Sequence, residues 1–440
     1  MVFSLSHCIF AVRNFDYKIL QTMTTLLKSA TIIDKSSPFH KQTKDILIEN
    51  GVIQKIDDTI NPSENTQIIE LENLHISTGW FDTSASFGEP GYEERETIAN
   101  GLTAAAKSGF TAVAVNPNTQ PIVDNKAAIE FLKNKATFSA TELYPIGALT
   151  QESKGIEMAE LYDMQQSGAI AFGDYNKPIS NDNLLKVALL YAQIFDGLVL
   201  SFPKNKSIAG DGIAHEGVNA TRLGLKGIPA LAEELQIARD LFLLEYTGGK
   251  LHIPTISTKK SVELIKEAKS KELNVTCSVA VHNLVLTDKE LIGFDANTKV
   301  TPPLRTQEDV NALVEGVKNG VIDIITSDHN PIDVEYKKVE FAIAKNGTIG
   351  LESAFSALNT VLDTETIVEC LTTKPKNRFN INTESINEGE KVNITLFNPN
   401  GTFTFTEDHI YSTSKNSIFL DKELKGKVYG IFNKNQLILN

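Results

Sequence analysis

From about residue 78 to residue 378, short apolar runs alternate with longer segments whose apolar residues recur at helical spacing. Runs of about five β-branched and aromatic residues are typical of buried strands, and amphipathic segments of about 10–20 residues are typical of helices. There are eight runs, each followed by a helical segment: GWFD (79–82), FTAVAVN (110–116), ELYPIGAL (142–149), AIAFG (169–173), GLVLSF (197–202), KLHIPTI (250–256), NVTCSVA (274–280) and IDIITSD (322–328). Eight such units predict a closed (β/α)8 TIM-like barrel. No run is followed by Gly-x-Gly-x-x-Gly, which disfavours a dinucleotide-binding sheet.

The segments on either side of this region have the pattern of antiparallel strands. Two β-branched runs flank Asn50-Gly51, and Asn-Gly is the strongest short hairpin signal. Strand-like runs return after residue 378 as KVNITLFNPN, GTFTFT and GKVYGIFNKNQLIL. We therefore predict an α/β protein in which residues 24–77 and 379–440 form a small discontinuous β-sandwich domain beside a barrel of residues 78–378. Residues 1–23 are expected to be a disordered extension, with translation starting at Met1 or at Met23.

Charge and cysteine content narrow the class of partner. The net charge of −13 and the pI of about 5.2 give an acidic surface, which repels nucleic-acid phosphates and anionic lipid. No apolar run reaches the roughly 18 residues needed to span a bilayer. The three cysteines are odd in number and widely spaced, so they build neither a disulfide framework nor a Cys-rich zinc module. We expect a cytoplasmic protein without a nucleic-acid or membrane partner.

A motif-rich segment begins at the first strand of the predicted barrel and reads GWFDTSASFGEPGYEERETIANGLTAAAKSGFTAVAVNPNTQP. It resembles the dihydroorotase signature Gly-Phe-Ile-Asp-x-His-x-His-x-Arg-Glu-Pro-Gly, which is followed by a helix and then by Met-Pro-Asn-Thr. The segments TCSVAVHNLVLTD, KVTPPLR, IITSDHNP, GLESAFSAL and STSKNSIFLDKELKGKV resemble later dihydroorotase segments in the same order, and the similarity extends over residues 26–440. The resemblance implies an amidohydrolase barrel that uses one or two zinc ions to polarise the ring carbonyl of dihydroorotate and to lower the pKa of bound water.

The resemblance also implies that the metal-binding positions have changed. The histidine ligands of the family correspond to hydroxyl residues, which are poor zinc ligands: Ser84 and Ser86 on strand one, a position on or near Ser201 on strand five, and Thr255 on strand six. Two carboxylates remain. Asp174 lies in AFGDYN, where the family usually has Asp-Asp-Gly, and Asp328 holds the position of the catalytic aspartate. We therefore expect no cofactor and a vestigial Asp328, which is expected to hydrogen-bond to Ser84, Ser86 or Thr255.

The positions that contact substrate in the family are altered in the same way. Asn118 is kept. The arginine that grips the substrate carboxylate corresponds to Gly88, and the asparagine before Pro-Pro-Leu-Arg corresponds to Thr301. The histidine four residues after the catalytic aspartate corresponds to Ile332. A glycine supplies no charged group for a carboxylate, so the substrate site is expected to be lost together with the metal site.

Two alternatives stay open at this point. Eight histidines remain in the chain, and His252, His282 and His329 lie near strand ends, where a relocated metal site could form. His252 and Thr255 are three apart on one strand, so His252 is expected to face away from the Thr255 side and to be structural. The leucine-rich helix ALAEELQIARDLFLLEY is either an ordinary barrel helix or a partner surface, and the pattern does not separate the two.

The leading hypothesis is a dihydroorotase homologue of pyrimidine biosynthesis that lacks hydrolase activity. The resemblance implies that inactive members can serve as structural partners of aspartate carbamoyltransferase, so we expect this partner and a homo-oligomer. The alternative is an active dihydroorotase, or another cyclic amidohydrolase, with zinc in a non-standard site. A third, weaker hypothesis is a sensor that binds a small molecule in the residual pocket.

Overall fold

The computed structural model describes residues 24–440, so the expected extension and both candidate start sites lie outside the described residues. The chain begins with five strands: β1 (Thr24–Ile32), β2 (Thr43–Glu49), β3 (Val52–Asp57), β4 (Gln67–Ile69) and β5 (His75–Thr78). Asn50 and Gly51 connect β2 to β3 in an antiparallel hairpin, and both have positive φ, 51° and 76°. This is the backbone that two-residue hairpin turns need and that Asn-Gly adopts most easily, so the predicted hairpin is confirmed.

The middle of the chain alternates strands and helices. The strands are β6 (Trp80–Ala85), β7 (Phe110–Val115), β8 (Glu142–Gly147), β9 (Ala171–Phe172), β10 (Leu198–Leu200), β11 (Ala214–His215), β12 (Gly227–Ile228), β13 (Lys250–Ile253), β14 (Val275–Ala280) and β15 (Ile324–Thr326). The helices are α1 (Ile98–Lys107), α2 (Lys126–Lys135), α3 (Leu161–Gln166), α4 (Asp182–Ala192), α5 (Lys206–Ala209), α6 (Val218–Leu223), α7 (Leu231–Thr247), α8 (Lys259–Ser270), α9 (Val281–Val285), α10 (Gln307–Lys318), α11 (Ala354–Leu358), α12 (Thr364–Leu371) and α13 (Thr373–Arg378).

Eight of these strands form one parallel sheet in the order β6-β7-β8-β9-β10-β13-β14-β15, and each overlaps one of the eight predicted runs, with β6 continuing past its run to Ala85. The sheet closes at the ends of its outer strands, where Ala85 bridges to His329 and the Ser86 N–H donates to the His329 carbonyl at 2.7 Å. The predicted barrel is confirmed. The sequence pattern did not predict β11 and β12, which pair as a separate two-stranded parallel sheet.

The C-terminal strands return to the first sheet. They are β16 (Asn393–Thr404), β17 (Glu423–Asn433) and β18 (Gln436–Leu439), and β16 pairs antiparallel with β5, placing Ile394 opposite Thr78. The resulting eight-stranded sheet has its own apolar core, with side chains from both ends of the chain such as Ile46, Ile76 and Leu396. The prediction that the two ends of the chain form one discontinuous β domain is confirmed.

Apolar side chains fix where a polar site can form. Phe81, Leu198 and Ile324, near the starts of their strands, fill the barrel interior together with Phe379, which follows α13 directly. A stack of Trp80 on Phe355, with ring centroids 5.1 Å apart, is part of the core outside the barrel. Open space inside the barrel is therefore confined to the C-terminal strand ends, where barrels of this type place their chemistry. Within residues 24–440, no helix combines the length and apolar character needed to cross a membrane.

Candidate functional site

A small cavity lies at the C-terminal ends of the barrel strands. It is lined by residues from β6, β8, β10, β13 and β14 and from the loops that follow the barrel strands, including Ser84, Asn116, Tyr175, Thr255 and Asp328. Its volume is about 20 Å³, and a single water molecule needs about 10–15 Å³. Sites for small-molecule ligands usually measure about 300–1,000 Å³. The cavity therefore holds about one water molecule and has no room for a pyrimidine ring.

Asp328 is the titratable centre of this cavity. Its Oδ1 accepts hydrogen bonds from the Ser84 hydroxyl at 3.2 Å and from the Tyr175 hydroxyl at 3.3 Å, so the predicted contact with Ser84 is confirmed. Burial, with a smaller contribution from the nearby carboxylate of Asp82, raises the pKa of Asp328 to about 7, although the hydrogen bonds from Ser84 and Tyr175 act to lower it. The same burial, with the charge of Asp328, raises the pKa of Tyr175 well above its ordinary value. Near neutral pH the cavity thus contains a carboxyl group that is partly protonated and a neutral phenol.

Asp82 holds the two residues that precede Asp328. It is fully buried on β6, and it accepts hydrogen bonds from the Ser327 N–H at 3.0 Å and from the hydroxyls of Thr326 and Ser327. These bonds tie the first strand of the barrel to the last strand, next to the point of closure. The sequence analysis did not predict Asp82 as a site residue, because the position of an aspartate within a strand run does not show whether its side chain faces the barrel axis.

The backbone around the cavity has three non-glycine residues in the left-handed region. They are Tyr175, Thr255 and Asp328, with φ of 54°, 51° and 49°. Each follows a barrel strand, and all three line the cavity. Left-handed backbone is unfavourable for β-branched and bulky side chains and concentrates at functional sites. The strand ends therefore keep a geometry suited to a site, although the space between them is nearly filled.

The predicted metal positions divide into two groups. Ser84, Thr255 and Asp328 line the cavity, and the Asn116 amide holds Ser86 beside Ser84 by donating to both hydroxyls at 3.3 and 3.1 Å. The other two positions face elsewhere.

Asp174 does not line the cavity, because its carboxylate accepts hydrogen bonds from the N–H and the hydroxyl of Thr150 in the neighbouring loop. Ser201 is also directed elsewhere, since its hydroxyl donates to Asp240 on α7 at 2.6 Å. Strand alternation places Leu200 and Phe202 in the cavity in its place. Of the two carboxylates predicted as metal ligands, Asp174 and Asp328, Asp328 is therefore the one that lines the cavity.

The prediction that His252 faces away from the Thr255 side is wrong. His252 and Thr255 line the same cavity, although they are three residues apart. The reason is that β13 ends at Ile253 and Thr255 has a positive φ, so the alternation of a strand does not extend to Thr255. The two ring nitrogens of His252 lie 2.9 and 3.2 Å from the hydroxyls of Thr276 and Ser278, and burial lowers its pKa well below the ordinary value. His252 is a neutral histidine whose two nitrogens already have partners.

His282 and His329 do not lie beside His252 at the cavity. Both are buried, and burial lowers the pKa of each to about 4. His329 accepts a hydrogen bond on Nδ1 from the Gly350 N–H at 3.2 Å, and its ring lies edge-on to Phe87. Neither histidine lines the cavity. Within residues 24–440, no group of three or more His, Cys, Asp or Glu side chains is arranged to hold a metal ion.

The predicted substrate positions are also dispersed. Ile332 lies in a wide surface cleft, and Thr301 lies beside a separate small cavity near Arg305. Asn118 is half-buried outside the cavity lining, and its side-chain oxygen has no hydrogen-bond partner. A Cβ built on Gly88 would lie 1.8 Å from the Tyr92 carbonyl oxygen, so the loop leaves no space for any side chain at the position of the family arginine.

Arg305 instead belongs to a buried structural network. Its guanidinium lies 3.6 Å from Glu233 on α7, and it donates to the Ser257 hydroxyl and to the Ile228 carbonyl at 3.0 Å each. Glu233 also accepts from the Ser261 hydroxyl at 2.6 Å. The network links α7 and α8 with the loop before α10, so Arg305 has a structural role.

These donors do not fit a zinc ion. Zinc in proteins is held by imidazole, thiolate or carboxylate groups, usually four in all or three with a water molecule. The cavity supplies one carboxylate, one histidine whose two nitrogens are engaged, and the hydroxyls of serine, threonine and tyrosine. Tyr175, which lines the cavity with a neutral phenol beside Asp328, was not identified from the sequence. Its signal was present, since it follows Asp174 where the family usually has a second aspartate.

Comparisons with known proteins define the class and then the family. The fold is that of L-hydantoinase (dihydropyrimidinase) from Arthrobacter aurescens, with a TM-score of 0.82 over 94% of this chain and 96% of that chain, at 20% sequence identity. A D-hydantoinase matches with a TM-score of 0.79 over 95% of both chains, also at 20% identity. The Amidohydrolase family model matches residues 212–428, and the Dihydro-orotase-like model matches residues 75–261. The fold is therefore that of the amidohydrolase class.

Sequence identity identifies the family. The chain is 38% identical over 413 residues to a dihydroorotase from Thermoanaerobacter sp. (strain X514), covering 92% of this chain and 95% of that protein. It is 39% identical over 410 residues to a dihydroorotase from Pelotomaculum thermopropionicum, covering 92% and 96%. The chain belongs to the dihydroorotase family.

Proposed function

We propose that this chain is a non-catalytic member of the dihydroorotase family that acts in pyrimidine biosynthesis in the cytoplasm. In this proposal it does not hydrolyse or form the cyclic amide, and it serves as a structural or regulatory partner of aspartate carbamoyltransferase. Self-association of the chain is part of the same proposal.

The observation that carries the loss of catalysis is the content of the cavity. Hydrolysis of a cyclic amide in this class needs a polarised carbonyl and an activated water, and metal ions supply both. The cavity holds about one water molecule, and Tyr175 and Phe202 are part of its wall. Its ionisable groups are Asp328 and neutral His252, with Tyr175 as a phenol of raised pKa. Neither a substrate ring nor a metal with its ligands fits this arrangement.

The support for a structural role lies in what surrounds the cavity. The barrel is closed, and the discontinuous sheet packs against it. The C-terminal segment also reaches over the barrel: Thr413 donates to buried Glu96 through its N–H at 3.0 Å and its hydroxyl at 2.9 Å, and the Asn416 side chain accepts from the Ile332 N–H at 3.1 Å. A chain with this architecture and without a working site can still offer its outer surfaces to other subunits.

One observation favours the alternative, an active cyclic amidohydrolase with a non-standard metal site. Thr255 and Asp328 keep left-handed backbone at their strand ends, and such backbone is common at sites in use. An active enzyme would need the loop with Tyr175 to move and open space beside Asp328. This alternative is tested together with the leading proposal.

The test is an activity assay on the purified full-length chain with zinc supplied. We expect no conversion of dihydroorotate to carbamoyl aspartate, or the reverse, above the rate of buffer with zinc. The matched variant is Asp328→Ala, which removes the carboxylate of the cavity. A rate above background that Asp328→Ala abolishes would contradict the proposal and establish the alternative.

The partnership is tested separately by co-expression with aspartate carbamoyltransferase from the same source. We expect the two chains to elute together in size-exclusion chromatography at micromolar concentration, with carbamoyltransferase activity in the shared peak. Separate elution at all concentrations up to about 50 μM, where an interface of standard size should be occupied, would refute the partnership and leave the loss of hydrolysis untouched.

A further inference from the structure

A wide cleft lies on the face of the barrel that also carries the cavity of Asp328. Its walls come mainly from the loop after β6, from residues 294–297 between β14 and α10, from the segment 332–340 after β15, and from the C-terminal segment at Glu407 and residues 413–416. Residues that follow parallel strands lie at the C-terminal end of a barrel. The cleft has a volume of about 940 Å³, against about 20 Å³ for the cavity. Space for a ligand on this face therefore lies in the cleft.

The cleft carries an excess of negative charge, and we call it the acidic cleft. Its walls contain three lysines and five carboxylates, which are Glu94, Asp295, Asp333, Glu340 and Glu407. Within residues 24–440, Glu94 lies 3.7 Å from Nε of Arg95, and the other four carboxylates form no ion pair. Most of the negative charge in the acidic cleft is therefore not neutralised by the protein itself.

The lysines of the acidic cleft offset only part of this charge. The Lys415 amine donates to the Ile410 carbonyl, and the Lys337 amine donates to the Ala296 carbonyl, each at 2.8 Å. Lys337 is 6% exposed, and burial lowers its pKa to about 7, so this amine is only partly charged near neutral pH. Ala296 is its one acceptor within residues 24–440. A lysine amine has three hydrogens when charged and two when neutral, so Lys337 keeps a donor for a ligand.

Apolar side chains lie among the carboxylates of the acidic cleft. Phe294, Val334 and Val339 line it, and all three are exposed. Each is next to a carboxylate in the chain, since Asp295 follows Phe294, Asp333 precedes Val334 and Glu340 follows Val339. Single exposed apolar residues are ordinary, whereas several in one cleft indicate an interaction site. A matching ligand therefore needs apolar groups as well as positive charge.

This combination selects among the possible occupants. The chain has a net charge of −13, so a second copy would bring more negative charge to a cleft that is already acidic. Nucleic acid and anionic lipid are disfavoured for the same reason. A small polyamine would neutralise the carboxylates but would leave Phe294, Val334 and Val339 uncovered. A peptide segment with basic and apolar side chains satisfies both requirements.

We propose that the acidic cleft binds an extended peptide segment of another protein, in which lysine or arginine residues are interspersed with apolar residues. The basic side chains pair with the carboxylates of the cleft, and the apolar side chains cover Phe294 and Val334. A carbonyl of the peptide backbone accepts a hydrogen bond from the Lys337 amine. This inference goes beyond the proposed function, and it depends neither on the loss of hydrolysis nor on aspartate carbamoyltransferase.

The first test measures binding of a model peptide to the full-length chain by fluorescence anisotropy. The probe is a fluorescein-labelled peptide of about ten residues, built from lysine, leucine and glycine, with both ends blocked. We expect a Kd below about 100 μM at low salt. Replacing the leucines of the probe by serine is expected to weaken binding at least about 5-fold, because the apolar contacts are lost. Replacing its lysines by glutamate is expected to abolish binding.

A matched pair of variants separates the acidic cleft from the overall charge of the protein. Glu340→Gln combined with Glu407→Gln removes two carboxylates from the cleft, and we expect the Kd of the lysine–leucine peptide to rise about 5- to 10-fold. Glu64→Gln combined with Glu157→Gln removes two exposed carboxylates outside it and is expected to leave the Kd unchanged. Both variants have the same net charge, and thermal unfolding checks that both are folded.

The second test locates the bound peptide directly. A carbodiimide joins a lysine amine to a carboxylate in contact with it, with loss of water, and mass spectrometry identifies the joined residues. We expect the peptide to be joined to Asp333, Glu340 or Glu407. No binding up to about 500 μM, or an equal effect of the two double variants, would overturn the proposal. Cross-links spread over exposed carboxylates of the whole chain, or equally tight binding of the serine peptide, would also overturn it, since either result indicates charge attraction without a specific site.

Discussion

Replacing Gly88 by alanine is expected to destabilise the protein by about 2–3 kcal/mol. A Cβ at this position would lie 1.8 Å from the carbonyl oxygen of Tyr92 and 3.1 Å from that of Glu96. Both oxygens belong to the backbone of one loop, which is held by the Gly88 N–H donating to Glu96 at 2.9 Å and the Tyr92 N–H donating to Gly88 at 2.8 Å. A flexible side chain could rotate away from the new methyl group, but this loop has to move as a unit. Overpacking of this kind costs about 1–3 kcal/mol, and we expect the upper part of that range.

The assay is thermal unfolding followed by calorimetry. An unfolding entropy of about 2.1 cal/mol/K per residue gives roughly 0.9 kcal/mol/K for a chain of 440 residues, so the loss corresponds to a fall of about 2–4 °C in Tm. Gly293→Ala is the matched control, because a Cβ there meets no atom within 4 Å, and its Tm is expected to stay equal or to rise slightly. A Tm for Gly88→Ala equal to that of the wild type would refute the reasoning. It would show that the loop accepts a side chain where the family has its substrate-gripping arginine.

Three further predictions concern charge and capping. Asp328→Asn is expected to raise stability against urea more at pH 8 than at pH 5. The folded pKa of Asp328, about 7, lies above the unfolded value near 3.9, so ionisation of Asp328 destabilises the folded state increasingly as the pH rises through this window. An equal effect at both pH values would contradict the raised pKa of Asp328. Arg305→Met leaves Glu233 buried without its cation and is expected to cost about 3–5 kcal/mol in the same assay, whereas a loss below about 1 kcal/mol would show that the pair is unimportant. Thr306→Ala removes the N-cap of α10 and its reciprocal bond with Asp309, so we expect a loss of about 1 kcal/mol, and an unchanged urea midpoint would count against the capping box.

The barrel could be predicted because its signals are local. Each of the eight runs is a short β-branched or aromatic segment, and each strand of the barrel overlaps one of them. The hairpin at Asn50 and Gly51 followed from the backbone that these two residues adopt easily. The pairing of β5 with β16 connects distant parts of the chain. The strand patterns at both ends predicted one shared β domain, but they did not predict which strands pair.

The site could be predicted only in part, because its arrangement depends on where each strand ends. His252 was assigned to the wrong side since the alternation of β13 stops at Ile253, and left-handed backbone then turns Thr255 toward the same cavity. Ser201 satisfies the position expected from the alignment, yet its side chain reaches Asp240 on a helix that follows 30 residues later in the chain. Such contacts have no signature in the local pattern.

The collapse of the site is likewise a tertiary property. The exclusion of a side chain at Gly88 depends on the fold of the loop up to Glu96, and Glu96 is in turn held by Thr413 from the far end of the chain. The resemblance implies that Gly88 replaces an arginine, but only the packing shows that a side chain at Gly88 has no space.

The central claim is that this member of the dihydroorotase family has no metal centre, and metal analysis tests it most directly. The full-length chain would be produced in zinc-supplemented medium, freed of loosely bound ions by gel filtration, and analysed for zinc, manganese and iron beside Asp328→Ala. The account predicts well below one equivalent of metal, with the same content in both proteins. One or two equivalents in the wild type that disappear in Asp328→Ala would contradict it.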